Sequence, residues 1–206
     1  PPAFSHCNHE VEFFSFPLMV SRLSGAADQV NVIAARPLLE GCGWLDRGDE
    51  VTVRGEVRTF NNRSGVGSRL VISVFAKELL PEQREDENRL FLSGTLCKPP
   101  SLRSTPLGRT ICDMILAVNR RYGRADYLPC IAWGSLAHLC GGMEVGGALA
   151  LDGRLQSRTY TKNLGDHTEE RTAFEVSIMN LISREAAGAC WETTCWSREA
   201  AGAAPG

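Results

Sequence analysis

Aromatic and cationic side chains are concentrated in one stretch of this sequence, from Met114 to Trp133. An apolar run of strand length leads into a short loop rich in Arg and Tyr, and a second apolar run carries Tyr127 and Trp133, six residues apart. Because side chains alternate between the two faces of a strand, these two rings share one face. Flat rings beside cations can stack on bases and hold phosphates, so the stretch predicts a nucleic-acid surface.

Composition places the chain among ordinary globular proteins. Of its 206 residues, 43% are hydrophobic, which is enough to form a core. No stretch approaches the roughly 20 apolar residues that a membrane helix needs, and the first residues do not resemble a signal peptide. The sequence therefore predicts a cytoplasmic protein without a membrane partner.

Cysteine and histidine spacing gives little support to a metal site. The eight cysteines are scattered, which favours small core residues, at Cys112 and Cys130 in particular, over a disulfide framework. No Cys-x-x-Cys motif occurs, and the pairs at 6–9 and 190–195 both lie near a terminus. Because no nucleophile and base or carboxylate cluster is evident either, we expect no metal, no cofactor and no catalytic residue.

Charge is distributed unevenly along the chain. A formal net charge of −2 argues against a generally basic nucleic-acid-binding protein. Residues 88–165 nevertheless contain ten Lys or Arg and only four acidic residues. Residues 1–86 contain nine Lys or Arg and twelve acidic residues. A positive field confined to the second half suits a polyanionic ligand there.

The chain contains an internal repeat. A shift of 98 residues aligns the two halves at a series of identical positions: Val20 with Val118, Arg22 with Arg120, Gly25 with Gly123, Asp28 with Asp126, and Gly55 with Gly153. After a hairpin of different length the shift becomes 102, which aligns Val74 with Val176. The order of these matches indicates two copies of one all-strand unit.

Each copy has the strand pattern of a small Greek-key barrel. In the second copy, strands are expected near 89–96, 111–120, 127–133, 148–158 and 173–181, with a short helix near 135–139. This is the order of an oligonucleotide-binding (OB) barrel, so the expected fold class is all-β, with two tandem five-stranded OB-fold barrels, each with a short helix between strands three and four. In the first copy only ten residues precede Val11, so either its first strand is lacking or residues 4–16 take its place differently.

Three motifs of the second copy follow one another at characteristic spacing. Gly94-x-Leu96 is followed by a Pro, an Arg, a Thr-Pro pair and Gly108, then by Leu116-Ala117-Val118-Asn119-Arg120 and by Trp133-Gly134-x-Leu136-Ala137. With residues 152–160, these resemble the bacterial single-stranded DNA-binding proteins from about residue 88 to residue 182. The resemblance implies an OB fold that binds unpaired DNA.

The resemblance also implies site residues. In that family, bases stack on aromatic residues at the end of strand two, in and at the end of strand three, and just past strand four. By position, the stacking residues here are Tyr122, Tyr127, Trp133 and Tyr160. Apart from the resemblance, nearby cations can neutralise phosphates; those expected to contact the DNA backbone are Arg120, Arg121, Arg124, Arg154, Arg158 and Lys162. Rings on a small barrel are more often core, but four such sites interspersed with cations favour stacking.

The first copy departs from this pattern. When the first copy is aligned with the second, the positions of the four rings are occupied by Ser24, Gln29, Ala35 and Phe60. The position of Gln156 is occupied by Glu56. With three platforms absent, this copy is expected to serve mainly in assembly or in extending the path of the DNA backbone. Phe60 and Arg58 are its candidate minor contacts.

These expectations divide the chain into a degenerate OB repeat (1–86), a single-stranded DNA-binding OB fold (87–185) and a flexible tail (186–206), with an acidic linker near 81–87. The expected function is sequence-independent binding and protection of single-stranded DNA in replication, recombination or repair. The alternative is a protein-interaction module of the primosome or mobile-element type, with weak or no nucleic-acid binding.

The resemblance has two further implications for partners and location. Family members usually assemble four barrels, so two barrels per chain imply a homodimer, associated with the nucleoid in the cytoplasm. Family members also usually end in a short acidic tip that recruits repair enzymes. Because residues 198–206 do not have this character, recruitment through an acidic tip is not expected.

Overall fold

The computed structural model describes residues 1–62, 70–81, 85–120, 123–163, 165, 167–182 and 195–197, without the side chains of 162 and 195–197. The chain divides into two units, Pro1–Arg89 with Thr193–Gly206, and Leu90–Glu192. The division lies close to the boundary that we expect after residue 86. Among the described residues, no helix is long and apolar enough to cross a membrane.

The first unit begins with a β-hairpin. Strands β1 (Ala3–Asn8) and β2 (Val11–Ser21) are joined by His9 and Glu10, whose φ angles of 45° and 66° suit a tight two-residue turn. There follow β3 (Ala27–Ala35), α1 (Arg36–Gly41), β4 (Thr52–Asn61) and β5 (Leu70–Leu80). Antiparallel β2–β3 and β4–β5 pairs and a parallel β3–β5 pair give the connectivity of OB strands two to five.

The second unit is a closed five-stranded barrel. Its elements are β6 (Glu87–Leu96), the short β7 (Ser101–Ser104), β8 (Thr110–Asn119), β9 (Ala125–Trp133), α2 (Ser135–Gly141), β10 (Ala148–Asn163) and β11 (Thr168–Leu181). Strand β6 pairs with both β8 and β10, β8 with β9, β9 with β11 in parallel, and β11 with β10, which closes the ring of strands. The interior is filled by alternate side chains, including Leu128, Cys130, Leu151 and Leu155.

The start of the first unit differs from that of the second. Ala3 pairs with Ser15 in the β1–β2 hairpin as Ser101 pairs with Asp113 in the β7–β8 hairpin, so the shift of 98 makes β1 the counterpart of β7 and not of β6. The short strand β12 (Cys195–Ser197) pairs instead with β4, at the residues equivalent to those of β10 that pair with β6. Residues 4–16 therefore do not take the place of the first strand, and β12 occupies that place beside β4.

Strand β12 also lies in the segment for which the sequence predicts no regular structure. The edge of β4 offers unpaired backbone donors and acceptors, which a passing extended segment can satisfy. The rest of 186–206 lies outside the described residues. The predicted fold class, two tandem OB barrels with a short helix between strands three and four, is confirmed.

Three cysteines are core residues of the second unit. Cys112, Cys130 and Cys140 are buried. Burial raises the pKa of the Cys130 thiol well above its ordinary value and that of Cys140 to about 11. These thiols are therefore protonated and unreactive at neutral pH. Within the described ranges, no group of three or more His, Cys, Asp or Glu is arranged to hold a metal.

Equivalent glycines form a bulge in each barrel. The register of β4 against β5 shifts between Arg54 and Gly55, and that of β10 against β11 shifts between Asp152 and Gly153. A Cβ atom on Gly153 would lie 2.5 Å from the carbonyl oxygen of Ser177, so the two strands approach too closely for a side chain. The bulge sets the register of β10, the strand that carries Tyr160.

The substitution Gly153→Ala is expected to destabilise the second unit by about 1–3 kcal/mol, because the strands must separate to admit the methyl group. Urea unfolding followed by circular dichroism measures the effect. Gly142→Ala is the matched control, since its Cβ would meet no atom closer than 3.7 Å and its φ of −88° suits any residue. Equal unfolding midpoints for the two variants would show that the bulge tolerates a side chain.

Candidate nucleic-acid interface

Strands β9, β11 and β10 present one continuous outward surface. Ile131 of β9 pairs with Ser177 of β11, which in turn pairs with Arg154 of β10. Paired residues point to the same side of a sheet, so alternate residues of the three strands lie on this side. We name this surface the outer face; it comprises Tyr127, Pro129, Ile131 and Trp133 of β9, Arg171, Ala173, Glu175 and Ser177 of β11, and Arg154, Gln156, Arg158 and Tyr160 of β10.

Three of the four rings expected to stack on bases lie on the outer face. Tyr127, Trp133 and Tyr160 are 54%, 38% and 37% exposed, whereas the inward-pointing Leu128 and Leu155 are fully buried. The rings are therefore neither core side chains nor distributed over opposite sides of the barrel. The fourth ring, Tyr122, lies outside the described residues, as does Arg121.

The rings occupy both ends of the outer face. Counting back along the parallel strands from the Ile131–Ser177 pair places Tyr127 level with Ala173, whose partner on β10 is Arg158. Tyr160 lies one outward position further along β10, opposite Arg171. Trp133 lies in the other direction, at the end of β9. Between them Ile131, Gln156 and Ser177 are buried, so the exposed rings lie toward the two ends of the outer face.

Arg158 has two partners on the outer face. Its guanidinium carbon lies 5.7 Å from the ring centroid of Tyr160, within the range of a cation–π contact. Its Nε lies 3.8 Å from Oε1 of Glu175, which also accepts a hydrogen bond of 2.7 Å from Nε2 of Gln156. We did not expect Glu175 from the sequence. Its position opposite Gln156 follows from the hairpin register, which was the one signal that could have found it.

The remaining expected phosphate contacts differ in their surroundings. The Nε of Arg154 is buried, and within the described part of the chain it has no hydrogen-bond partner. A buried donor in this state is unfavourable by about 1–3 kcal/mol. Arg124 is exposed at the end of the β8–β9 loop, and Lys162 pairs through its backbone with Glu169.

Arg120 is engaged within the protein. Its Nε and Nη2 donate to both carboxylate oxygens of Asp126, whose side chain is only 2% exposed. Its backbone N–H donates to the carbonyl oxygen of Arg124 at 2.7 Å, which closes the β8–β9 loop. The first unit repeats the ion pair between Arg22 and Asp28. The geometry therefore favours a positioning role for Arg120 over a phosphate contact.

The observed register changes one set of counterparts in the first unit. Glu56 pairs with Phe75 as Arg154 pairs with Ser177, so the shift of 98 continues through β4. It follows that Asn62 is the counterpart of Tyr160 and that Phe60 is the counterpart of Arg158. The alignments of Phe60 with Tyr160 and of Glu56 with Gln156 are therefore wrong by two residues, because the change from 98 to 102 occurs at the hairpin tip and not within the strand. Phe60 is exposed on the first unit and Arg58 is half-buried.

Fold and surface together define a class of protein, an OB-fold barrel whose outward face carries exposed rings and guanidinium groups. Residues 87–182 match the profile of the Single-strand binding protein family. The single-stranded DNA-binding protein of Clostridium tetani is 32% identical over 110 residues, which cover 49% of this chain and 76% of that relative. The chain belongs to the Single-strand binding protein family.

Other relatives match over shorter stretches. The single-stranded DNA-binding protein of Halalkalibacterium halodurans is 33% identical over 99 residues, 45% of this chain and 56% of the relative. Single-stranded DNA-binding protein A of Bacillus subtilis is 39% identical over 85 residues, 38% of this chain and 49% of the relative. The chain thus spans about half the length of these two.

A solved structure matches across both units. The crystal structure of the wild-type single-stranded DNA binding protein from Thermus aquaticus aligns with a TM-score of 0.70 and 23% identity, covering 88% of this chain and 85% of that one. At this identity the likeness concerns the fold, and it includes the first unit as well as the second.

Proposed function

We propose that this protein binds single-stranded DNA with little sequence preference and protects it during replication, recombination or repair, without catalysing a reaction. The observation that carries the proposal is the sharing of one face by three exposed rings and three arginines. Stacking on a ring contributes about 1–3 kcal/mol per base and tolerates any base, because every base has a π-face. Family membership favours this function over the protein-interaction module.

The expected site residues have distinct roles in the proposed complex. Bases stack on Tyr127, Trp133 and Tyr160, with Tyr122 as the fourth ring. The half-buried side chain of Arg154 donates from its guanidinium to a phosphate oxygen. Arg158 exchanges Glu175 for a phosphate, and the base that stacks on Tyr160 takes the place of the guanidinium. Arg121, Arg124 and Lys162 extend the phosphate contacts along the strand.

The proposal extends to assembly and location. Two barrels per chain and a family that commonly uses four suggest a homodimer acting on DNA in the cytoplasm. Mass measurement in solution, with and without oligo(dT), tests the dimer directly.

Fluorescence tests DNA binding at the outer face. The chain has four tryptophans, so replacing Trp44, Trp191 and Trp196 with Phe leaves Trp133 as the only one. Oligo(dT) is expected to quench its emission more strongly than a duplex of equal length, and added salt should reverse the quenching. Each phosphate contact contributes about −0.7 to the slope of log K against log salt, so Arg158→Ala should make the slope shallower by about this amount. Unchanged emission at micromolar oligo(dT), together with no change in oligonucleotide mobility, would reject the proposal.

A further inference from the structure

The outward face of the first unit carries an aromatic cluster of its own. The ring centroids of Phe13 on β2 and Phe75 on β5 lie 5.4 Å apart. His6 on β1 stacks on Phe13 with a centroid separation of 4.9 Å and an interplanar angle of 9°. Through the pairs of Phe13 with Ala35 and of Phe75 with Ile33, the two phenylalanines lie on the side of the barrel that corresponds to the outer face. We name these three residues the first-unit cluster.

Large and small side chains have changed places between the two units. In the second unit the large ring, Trp133, stands on the middle strand, opposite Ile111 and near the small Ser177. In the first unit the counterpart of Trp133 is Ala35, while the counterparts of Ile111 and Ser177 are Phe13 and Phe75. The small Ala35 leaves room for the two phenylalanines to meet. An aromatic surface is thus retained at the same place on the barrel, built from the neighbouring strands.

The cluster reaches the surface of the first unit. Phe13 and Phe75 are half-buried, so their rings are held by packing but still reach the surface, and His6 is exposed. The parallel arrangement of His6 on Phe13 is the arrangement that a nucleobase adopts on a phenyl ring. Offset parallel stacking of this kind is not required for filling a core, where edge-to-face contacts serve equally well.

Charges around the cluster are locally compensated. Lys77 Nζ lies 3.8 Å from Oε1 of Glu56, and Arg58 forms an ion pair with the same carboxylate. Arg54 Nη1 lies 3.4 Å from Oε2 of Glu78. A ligand here therefore gains ring contacts with little net charge neutralisation.

We propose that His6, Phe13 and Phe75 form a second stacking site for unpaired bases, one that uses different strand positions from those of the second unit. The inference rests on the proposed function, because its ligand is a continuation of the same single strand. Stacking on these rings itself releases no counterions, because none of the three residues is a Lys or Arg. The first unit therefore adds affinity for longer strands without adding salt dependence.

The test compares Phe13→Leu/Phe75→Leu in the full chain with Phe4→Leu. Leucine keeps the apolar volume and removes the ring, and Phe4 is a matched control because it is exposed and pairs with the buried Phe14 on the opposite side of β1. The double variant is expected to bind a long oligo(dT) about tenfold more weakly than the control, with an unchanged salt slope. His6→Ala, at an exposed position, should weaken binding in the same direction without affecting folding.

A short oligonucleotide separates this inference from the proposed function. An oligo(dT) of about 12 nucleotides suffices for one barrel, so it should quench Trp133 equally in the double variant and the wild type. Long-strand affinity equal to that of Phe4→Leu, with Trp133 quenching intact, would overturn the stacking site alone. A loss of the dimer at unchanged DNA affinity would also overturn it, because the cluster would then be a contact between two copies of the chain. No quenching of Trp133 in any variant would instead reject the proposed function.

Ultraviolet cross-linking provides a direct readout that does not depend on the folding of a variant. Irradiation of the wild-type chain with a long oligo(dT), followed by mass spectrometry, should yield cross-linked peptides that contain residues of the first-unit cluster. Cross-links confined to peptides of the second unit, at saturating oligonucleotide, would contradict the inference.

Discussion

Replacing Tyr127, Trp133 and Tyr160 together with alanine is expected to weaken oligo(dT) binding by at least about a hundredfold. All three rings lie on the outer face with more than a third of their surface exposed. Each stacked base contributes about 1–3 kcal/mol, so three rings contribute at least about 3 kcal/mol. Since about 1.4 kcal/mol corresponds to a tenfold change in Kd, the loss of affinity exceeds a hundredfold. Trp133→Ala or Tyr160→Ala alone should weaken binding by about 1–3 kcal/mol.

Fluorescence anisotropy of a labelled oligonucleotide measures this loss, because the triple variant lacks Trp133. The thermal unfolding midpoint should stay near that of the wild type, since exposed rings contribute little to the core. Leu107→Ala/Leu139→Ala is a matched control at exposed apolar positions outside the outer face. Unfolding of the triple variant would show that the rings are structural, and wild-type affinity would show that DNA binds elsewhere.

Arg120→Met is expected to have the largest effect on stability, about 3–5 kcal/mol in the free energy of unfolding of the second unit. The substitution leaves the buried Asp126 carboxylate without its guanidinium while keeping a side chain of similar length. Arg120→Met/Asp126→Leu should recover part of the loss, because it removes the carboxylate as well. Arg124→Met, at an exposed site in the same loop, should change the free energy by less than about 0.5 kcal/mol.

The same double variant decides between two roles for Arg120. If the residue positions the loop, the refolded double variant should bind oligo(dT) with the salt slope of the wild type. A slope shallower by about 0.7 would assign a phosphate contact to Arg120 instead. A urea unfolding midpoint of Arg120→Met equal to that of the wild type would contradict the stabilising role of the buried ion pair.

Different parts of this protein could be predicted from the sequence with different success. The alternation of Tyr127 and Trp133 with buried residues followed directly from the two-residue period of a strand. Placement of the first-unit counterparts did not, because the hairpins differ in length and only the paired bulges at Gly55 and Gly153 show where the shift changes. The role of Phe13 was likewise hidden, since its ring matters only through Phe75, which lies 62 residues away in the chain.

By itself the sequence determined the duplication, the barrel class and the side of each strand on which the rings lie, because these depend on residue order and local period. Only the tertiary structure decided which cations are available to a ligand. Arg120 and Arg158 look alike in the sequence, yet Arg120 donates to the buried carboxylate of Asp126, whereas the Arg158 side chain is exposed and its Nε lies 3.8 Å from Glu175. The physical reason is that an arginine's role depends on the acceptors that folding brings within hydrogen-bonding distance, and strand alternation contains no information about these acceptors.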